Sequence, residues 1–139
     1  NLRNDLIAKL EGMLAHVDFI TERSPEIIEE YKEKLTKKVE ELLSDKQVDE
    51  SRLLMEVTIF ADKVCVDEEL VRLRSHITAT RDALLAGGSI GRKLDFIAQE
   101  MNREANTILS KSSDLEISNR AIELKTEIEK VREQIQNIE

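Results

Sequence analysis

Two glutamates, Glu100 and Glu104, stand four residues apart, and His76 lies in the segment before them. On a helix that spacing stacks the two carboxylates on one face. With an imidazole from a neighbouring helix they could hold a divalent ion. Oxygen ligands suit magnesium or manganese, and one nitrogen shifts the preference toward manganese, iron or zinc. An ion with an open position can activate water against a phosphodiester while arginines steady the developing charge. In the segment that carries His76, the residues Glu69, Arg72, His76 and Thr80 follow at spacings of 3, 4 and 4. Such a stripe runs along the border of a helix's apolar face, where polar side chains become partly buried. The same residues serve a plainer end. Like charges four apart cost a helix about 0.2–0.5 kcal/mol, and a cation such as Arg103 relieves that cost without a metal. Structural ion pairs are the commoner use of this spacing, for His76 as well as for the glutamates. What separates the two readings is whether the two polar stripes meet.

Other reactive residues carry less. Cys65 is the one cysteine, so no internal disulfide forms and a thiolate-based zinc site lacks ligands. Asp62-Lys63-Val64-Cys65-Val66 reads as a helix end, and a buried thiol used as core filler is expected there. His16, on a heavily charged segment, reads as a surface residue. The cluster Gly87-Gly88-Ser89-Ile90-Gly91 lacks the Gly-Lys-Ser/Thr ending of a phosphate loop and reads as a helix stop with a flexible link.

The elements that must position these groups are helices. The chain has 139 residues, 40% apolar and 36% charged, with 4 Gly, 1 Pro and 3% aromatic residues. So little Gly and Pro leaves scant material for the turns of an all-β fold, while the apolar content is too high and too regular for disorder. An all-α fold of about six amphipathic helices is expected. The first, 2–21, carries Leu6, Leu10, Met13, Val17 and Ile20 on one face. Ser24 reads as an N-cap and Pro25 as the first residue of a second helix reaching Leu43, so the two should form an antiparallel hairpin over 1–46. A break at Ser44-Asp45-Lys46-Gln47 leads to a bundle over 47–139, with helices near 49–64, 67–85 and 91–110, Asp49 and Asp67 serving as caps. In the last helix Ile117, Ala121, Leu124, Ile128, Val131, Ile135 and Ile138 repeat as a heptad seam. Hairpin and bundle together are read as one structural domain.

Charge narrows the partners. The net charge of −8, from 21 basic and 29 acidic side chains, argues by itself against nucleic acid. Its distribution weakens that argument. Residues 61–112 hold eight basic and eight acidic side chains, so the whole acidic excess lies in the flanks and the middle is balanced and arginine-rich. No apolar run is long enough to span a bilayer and no secretory signal is present, so a cytoplasmic protein without membrane contact is expected. The start at Asn1, already inside a helical pattern, suggests that material precedes it.

Three stretches stand out together: Glu69-Leu70-Val71-Arg72-Leu73-Arg74-Ser75-His76, then Gly91-Arg92-Lys93-Leu94-Asp95-Phe96 with Gln99-Glu100-Met101-Asn102-Arg103-Glu104-Ala105-Asn106-Thr107, and the ending Val131-Arg132-Glu133-Gln134-Ile135-Gln136-Asn137-Ile138-Glu139. In this order they resemble the motifs of the YicC/YloC family of bacterial proteins. The likeness is dense from Glu69 onward and weaker before Leu53. It implies a stress-associated endoribonuclease that cuts RNA with a divalent metal, manganese favoured and magnesium possible, as a hexamer around a channel. It also implies an N-terminal domain upstream of this chain. Carried over by motif, His76, Glu100 and Glu104 are candidate catalytic groups and metal ligands, and Arg72, Arg74, Arg92, Lys93 and Arg103 candidate RNA contacts. RNA and further copies of the chain are the implied partners, with no DNA expected. The alternative is a non-catalytic helical module for oligomerisation or regulatory binding, in which the polar stripes are only ion pairs.

Overall fold

The computed structural model of the chain describes residues 1–43 and 47–137. Helices account for nearly all of them, and no strand occurs among the described residues. In order they are α1 (Leu2–Leu43), α2 (Glu50–Val64), α3 (Asp67–Ala86), α4 (Gly91–Lys111) and α5 (Leu115–Gln136). The all-α expectation holds, with one correction. The two helices expected before residue 44 are one, because α1 runs through Pro25 without a turn.

Physical reasons for that difference can be read locally. A turn needs residues that leave the helical region readily, and Thr21-Glu22-Arg23 supplies no Gly or Asn. Proline removes one helical hydrogen bond and crowds the preceding turn. Arg23 spans the spot, its guanidinium donating to Glu26 at 3.1 Å and to Glu30 Oε1 at 3.1 Å. Ser-Pro is an equally good helix start in isolation, which is why the sequence pattern misleads here.

The residues cluster into two compact units. One comprises Glu22–Cys65, the later part of α1 with α2. Tyr31 and Phe60 stack there with ring centroids 3.9 Å apart, and Ile27, Leu53 and Val57 are buried. Through that ring pair the later part of α1 meets α2, and the hairpin expected over 1–46 does not form because α1 is one helix. Asp49 caps α2, accepting from the Arg52 amide at 3.3 Å. Of the break expected at Ser44-Asp45-Lys46-Gln47, residues 44–46 lie outside the described residues, and Gln47 lies outside any helix.

The other unit joins residues 1–21 to those from Val66 onward and carries all the candidate site residues. Its helical rods are the start of α1 with α3, α4 and α5. Leu6, Leu10, Met13, Val17 and Ile20 of α1 are completely buried. Paired residues fix the directions. Lys9 meets Glu127 and His16 meets Glu123, so α1 and α5 run antiparallel. Glu69 meets Lys111 and Arg72 meets Glu104, so α3 and α4 do too. The heptad residues of α5 from Ile117 to Ile135 are buried as their spacing requires, while Ile138 lies outside the described residues.

Two ends depart from expectation. Asp67 does not cap α3; Val66 occupies that position without a side-chain cap bond. Asp67, Glu68 and Glu69 instead fill the first turn, where negative charge suits the helix dipole. Cys65 is exposed and not buried. It sits in the extended residue that ends α2, and its neighbour Val66 takes the buried place. The glycine stop does behave as expected: Gly87 and Gly88 have φ of 77° and 87°, a region that disfavours side chains. The Gly87 amide closes α3 by donating to the Ala83 carbonyl at 3.1 Å.

Candidate functional site

The polar stripes of α3 and α4 meet. Arg72 projects from the α3 stripe, and its Nε donates to Glu104 Oε1 of α4 at 3.0 Å. Its Nη2 donates to Glu69 at 3.3 Å, and its Nη1 lies 3.5 Å from Glu68. Lys111, in the last turn of α4, donates from Nζ to the other oxygen of Glu69 at 3.2 Å. Glu69 and Glu104 are buried, at 4% and 5% exposure, whereas the Arg72 side chain is 48% exposed. Two buried carboxylates are therefore clamped from the solvent side by one arginine. A buried carboxylate without such a partner is strongly disfavoured, so this is the arrangement that lets both glutamates sit at the α3–α4 seam. The hydrogen bond to Glu104 raises the Arg72 guanidinium above its ordinary pKa, with burial pulling the other way.

The remaining expected site residues are distributed more widely. His76 stands one helical turn beyond Arg72 and is half-buried, as is Glu100, one turn before Glu104. The Arg72–Glu104 contact sets the antiparallel register and so puts His76 and Glu100 at the same level of the seam. No group of three or more His, Cys, Asp or Glu side chains is placed to hold a metal ion among the described residues. The set His76, Glu100 and Glu104 is thus not gathered as metal ligands by one copy of this chain, and the partner observed for Glu104 is a cation. The candidate RNA contacts fall into three groups. Arg72 is committed to the glutamates. Arg74 points to the opposite side of α3 and pairs with Asp18 of α1. Arg92, Lys93 and Arg103 are exposed on α4.

Sequence spacing passed over two contributors. Glu69 is the more buried glutamate of the junction, and Lys111 supplies its second cation. The signal for Glu69 was present, since it heads the stripe Glu69-Arg72-His76. Lys111 gave none, because its role depends on where the end of α4 lies against α3. His16 is also more than a surface residue. Its ring nitrogens lie 3.3 Å from Glu123 and 3.1 Å from Arg120, and that arginine stacks over Phe19 at 4.1 Å. A second polar bridge ties Asp95 to Arg132 of α5 at 2.8 Å. That hydrogen bond holds the Asp95 carboxyl below its ordinary pKa, against the opposing effect of burial.

Comparison with known proteins adds the context. A family model described as the C-terminal region of YicC-like endoribonucleases matches residues 20–139. The chain is 48% identical over 139 residues to a probable endoribonuclease YicC of Clostridioides difficile, covering 99% of this chain and 47% of that protein. It is 39% identical over 137 residues to a probable endoribonuclease YicC of Haemophilus influenzae, covering 98% of this chain and 47% of that protein. The chain thus spans about half the length of these curated relatives. None of its described helices is long and apolar enough to cross a membrane. With the motif residues of α3 and α4 joined at one seam and the family match running over most of its length, the chain belongs to the YicC-like endoribonuclease family and carries its C-terminal domain.

Proposed function

We propose that this chain is the C-terminal domain of an endoribonuclease that cuts RNA phosphodiester bonds, acting as part of a hexamer of the full-length protein around a channel. The observation that carries the reading is the junction of Arg72 with the buried Glu104 and Glu69, which joins two of the three stretches in which the family resemblance lies. Arg72 is half in solvent, and the third of its carboxylate partners, Glu68, is exposed. A phosphate can replace Glu68 at Nη1 while Nε and Nη2 keep their hold on the buried pair. The guanidinium is then fixed in direction before substrate arrives, as stabilisation of a developing phosphorane charge requires. His76, half-buried one turn away, is the candidate proton-transfer group. Arg74, Arg92, Lys93 and Arg103 remain candidate contacts to the RNA backbone.

Dependence on a divalent metal, manganese favoured over magnesium, belongs to the same proposal. A metal-ligand set in the working enzyme draws on groups beyond those one copy of this chain gathers, with Glu100 and His76 as its candidate contributions. The test is cleavage of RNA by the full-length protein with manganese and with a chelator, alongside the double variant His76→Ala/Glu104→Ala. Loss of cleavage by a folded double variant supports the assignment, and undiminished cleavage from a nuclease-free preparation defeats it. The second reading, a non-catalytic interaction module, is favoured by the fact that both buried glutamates already have cationic partners. Under it the same variant changes stability alone.

A further inference from the structure

Helix α4 presents a second polar surface that the junction does not use. At about 100° per residue, Arg92, Phe96, Gln99, Arg103 and Asn106 fall within roughly 80° of arc, directly opposite the buried face of Leu94, Ile97, Met101 and Ile108. All five are exposed, and Phe96 is 64% exposed. We propose that Phe96 is a base-stacking platform for single-stranded RNA, with Arg92 and Arg103 holding the backbone on either side; this rests on the RNA reading above and deepens it.

The chemistry of the stripe selects that occupant. A helix face that packs on another protein helix carries a row of apolar residues, but here one aromatic ring stands alone among guanidinium and amide groups. A planar ring between cations on an outward face matches the way single strands are held, with bases on aromatic rings and phosphates on arginines. The spacing fits, since Arg92 lies about 6 Å and Arg103 about 10 Å from Phe96 along the helix axis. Local charge is favourable despite the acidic chain. Lys93 adds a third exposed cation beside the stripe. The nearest aspartate, Asp95, is already neutralised by Arg132, and it also accepts from Gln99 at 3.1 Å. Glu100, half-buried at the stripe's edge, is the remaining acid within one turn of the ring.

The test uses the full-length protein and a fluorescent oligouridylate, with chelator present so that no strand is cut. Affinity is read by anisotropy and assembly size by light scattering. Phe96→Ala should weaken binding about 5- to 100-fold, Phe96→Leu should weaken it similarly, and Phe96→Trp should keep it. Melting temperature and assembly size should stay as in the wild type, because the ring is outside the core. Phe96→Ala binding within about twofold of wild type overturns the proposal, as does wild-type affinity in Phe96→Leu, which would make apolar area and not stacking the cause. A smaller assembly for Phe96→Ala also overturns it and assigns the face to a second copy. Wild-type protein that binds no RNA at all defeats the broader RNA reading, a result distinct from the others because it appears before any substitution.

Discussion

Replacing Glu104 by glutamine separates catalysis from packing at the junction. The amide keeps the size of the side chain and one oxygen to accept from Arg72 Nε, now 3.0 Å away, but removes the charge. A hydrogen bond to a charged group contributes about 1.5–3 kcal/mol. Two features reduce the loss here. The glutamine oxygen still accepts a hydrogen bond, and the Arg72 side chain, 48% exposed, regains water and keeps Glu69 as a partner. Against this, the amide nitrogen is a donor placed, at 5% exposure, in a site that presents the donors of Arg72 to a carboxylate. The net cost is about 1–2 kcal/mol. For a chain of this size that lowers the melting temperature by roughly 3–10 °C. Calorimetry measures this on the chain itself, and RNA cleavage is followed in the full-length protein. If Glu104 takes part in the chemistry, cleavage falls by about 100-fold or more while most of the protein stays folded. Unchanged cleavage together with the expected melting shift refutes the catalytic role. Unchanged melting refutes the claim that the Arg72–Glu104 contact helps hold α3 to α4.

Three further outcomes are expected. Asp95→Asn removes a carboxylate whose folded pKa is depressed chiefly by its hydrogen bond to Arg132. A depressed carboxylate contributes stability above its unfolded pKa, about 3.9, and loses it as pH falls through the lower folded value. The variant should therefore be less stable than wild type at neutral pH in denaturant titrations, with the gap closing below about pH 4; a gap constant with pH contradicts this. Gly87→Ala meets nothing within 4 Å, so its cost is that of a side chain at φ +77° and ψ −165°, a region kept almost entirely by glycine, about 1–3 kcal/mol by denaturant unfolding. Asp114 caps α5, accepting from the Ile117 amide at 3.1 Å, so Asp114→Ala should lose about 1 kcal/mol in the same assay, and Asp114→Asn much less.

The amino-acid sequence alone determined the helical class, the apolar faces of α3, α4 and α5, the glycine stop and the polar stripes. Each of these follows from periodicity or from a local backbone preference, which acts between residues a few positions apart. Three matters were decided only by tertiary structure. Ser24-Pro25 starts a helix in isolation but sits inside one here, where α1 runs on to Leu43 and Arg23 pairs with Glu26 and Glu30 across the proline. Cys65 and Val66 are adjacent and both apolar enough to bury, and the turn between α2 and α3 chose Val66. The carboxylates of the junction show the same limit. Spacing marked Glu100 and Glu104 as a pair, yet the register of α3 against α4 joined Glu104 to Arg72 and brought Glu69 and Lys111 into the cluster. A helix's sequence says which side chains share a face. Only packing says what that face meets, since the partner comes from residues dozens of positions away.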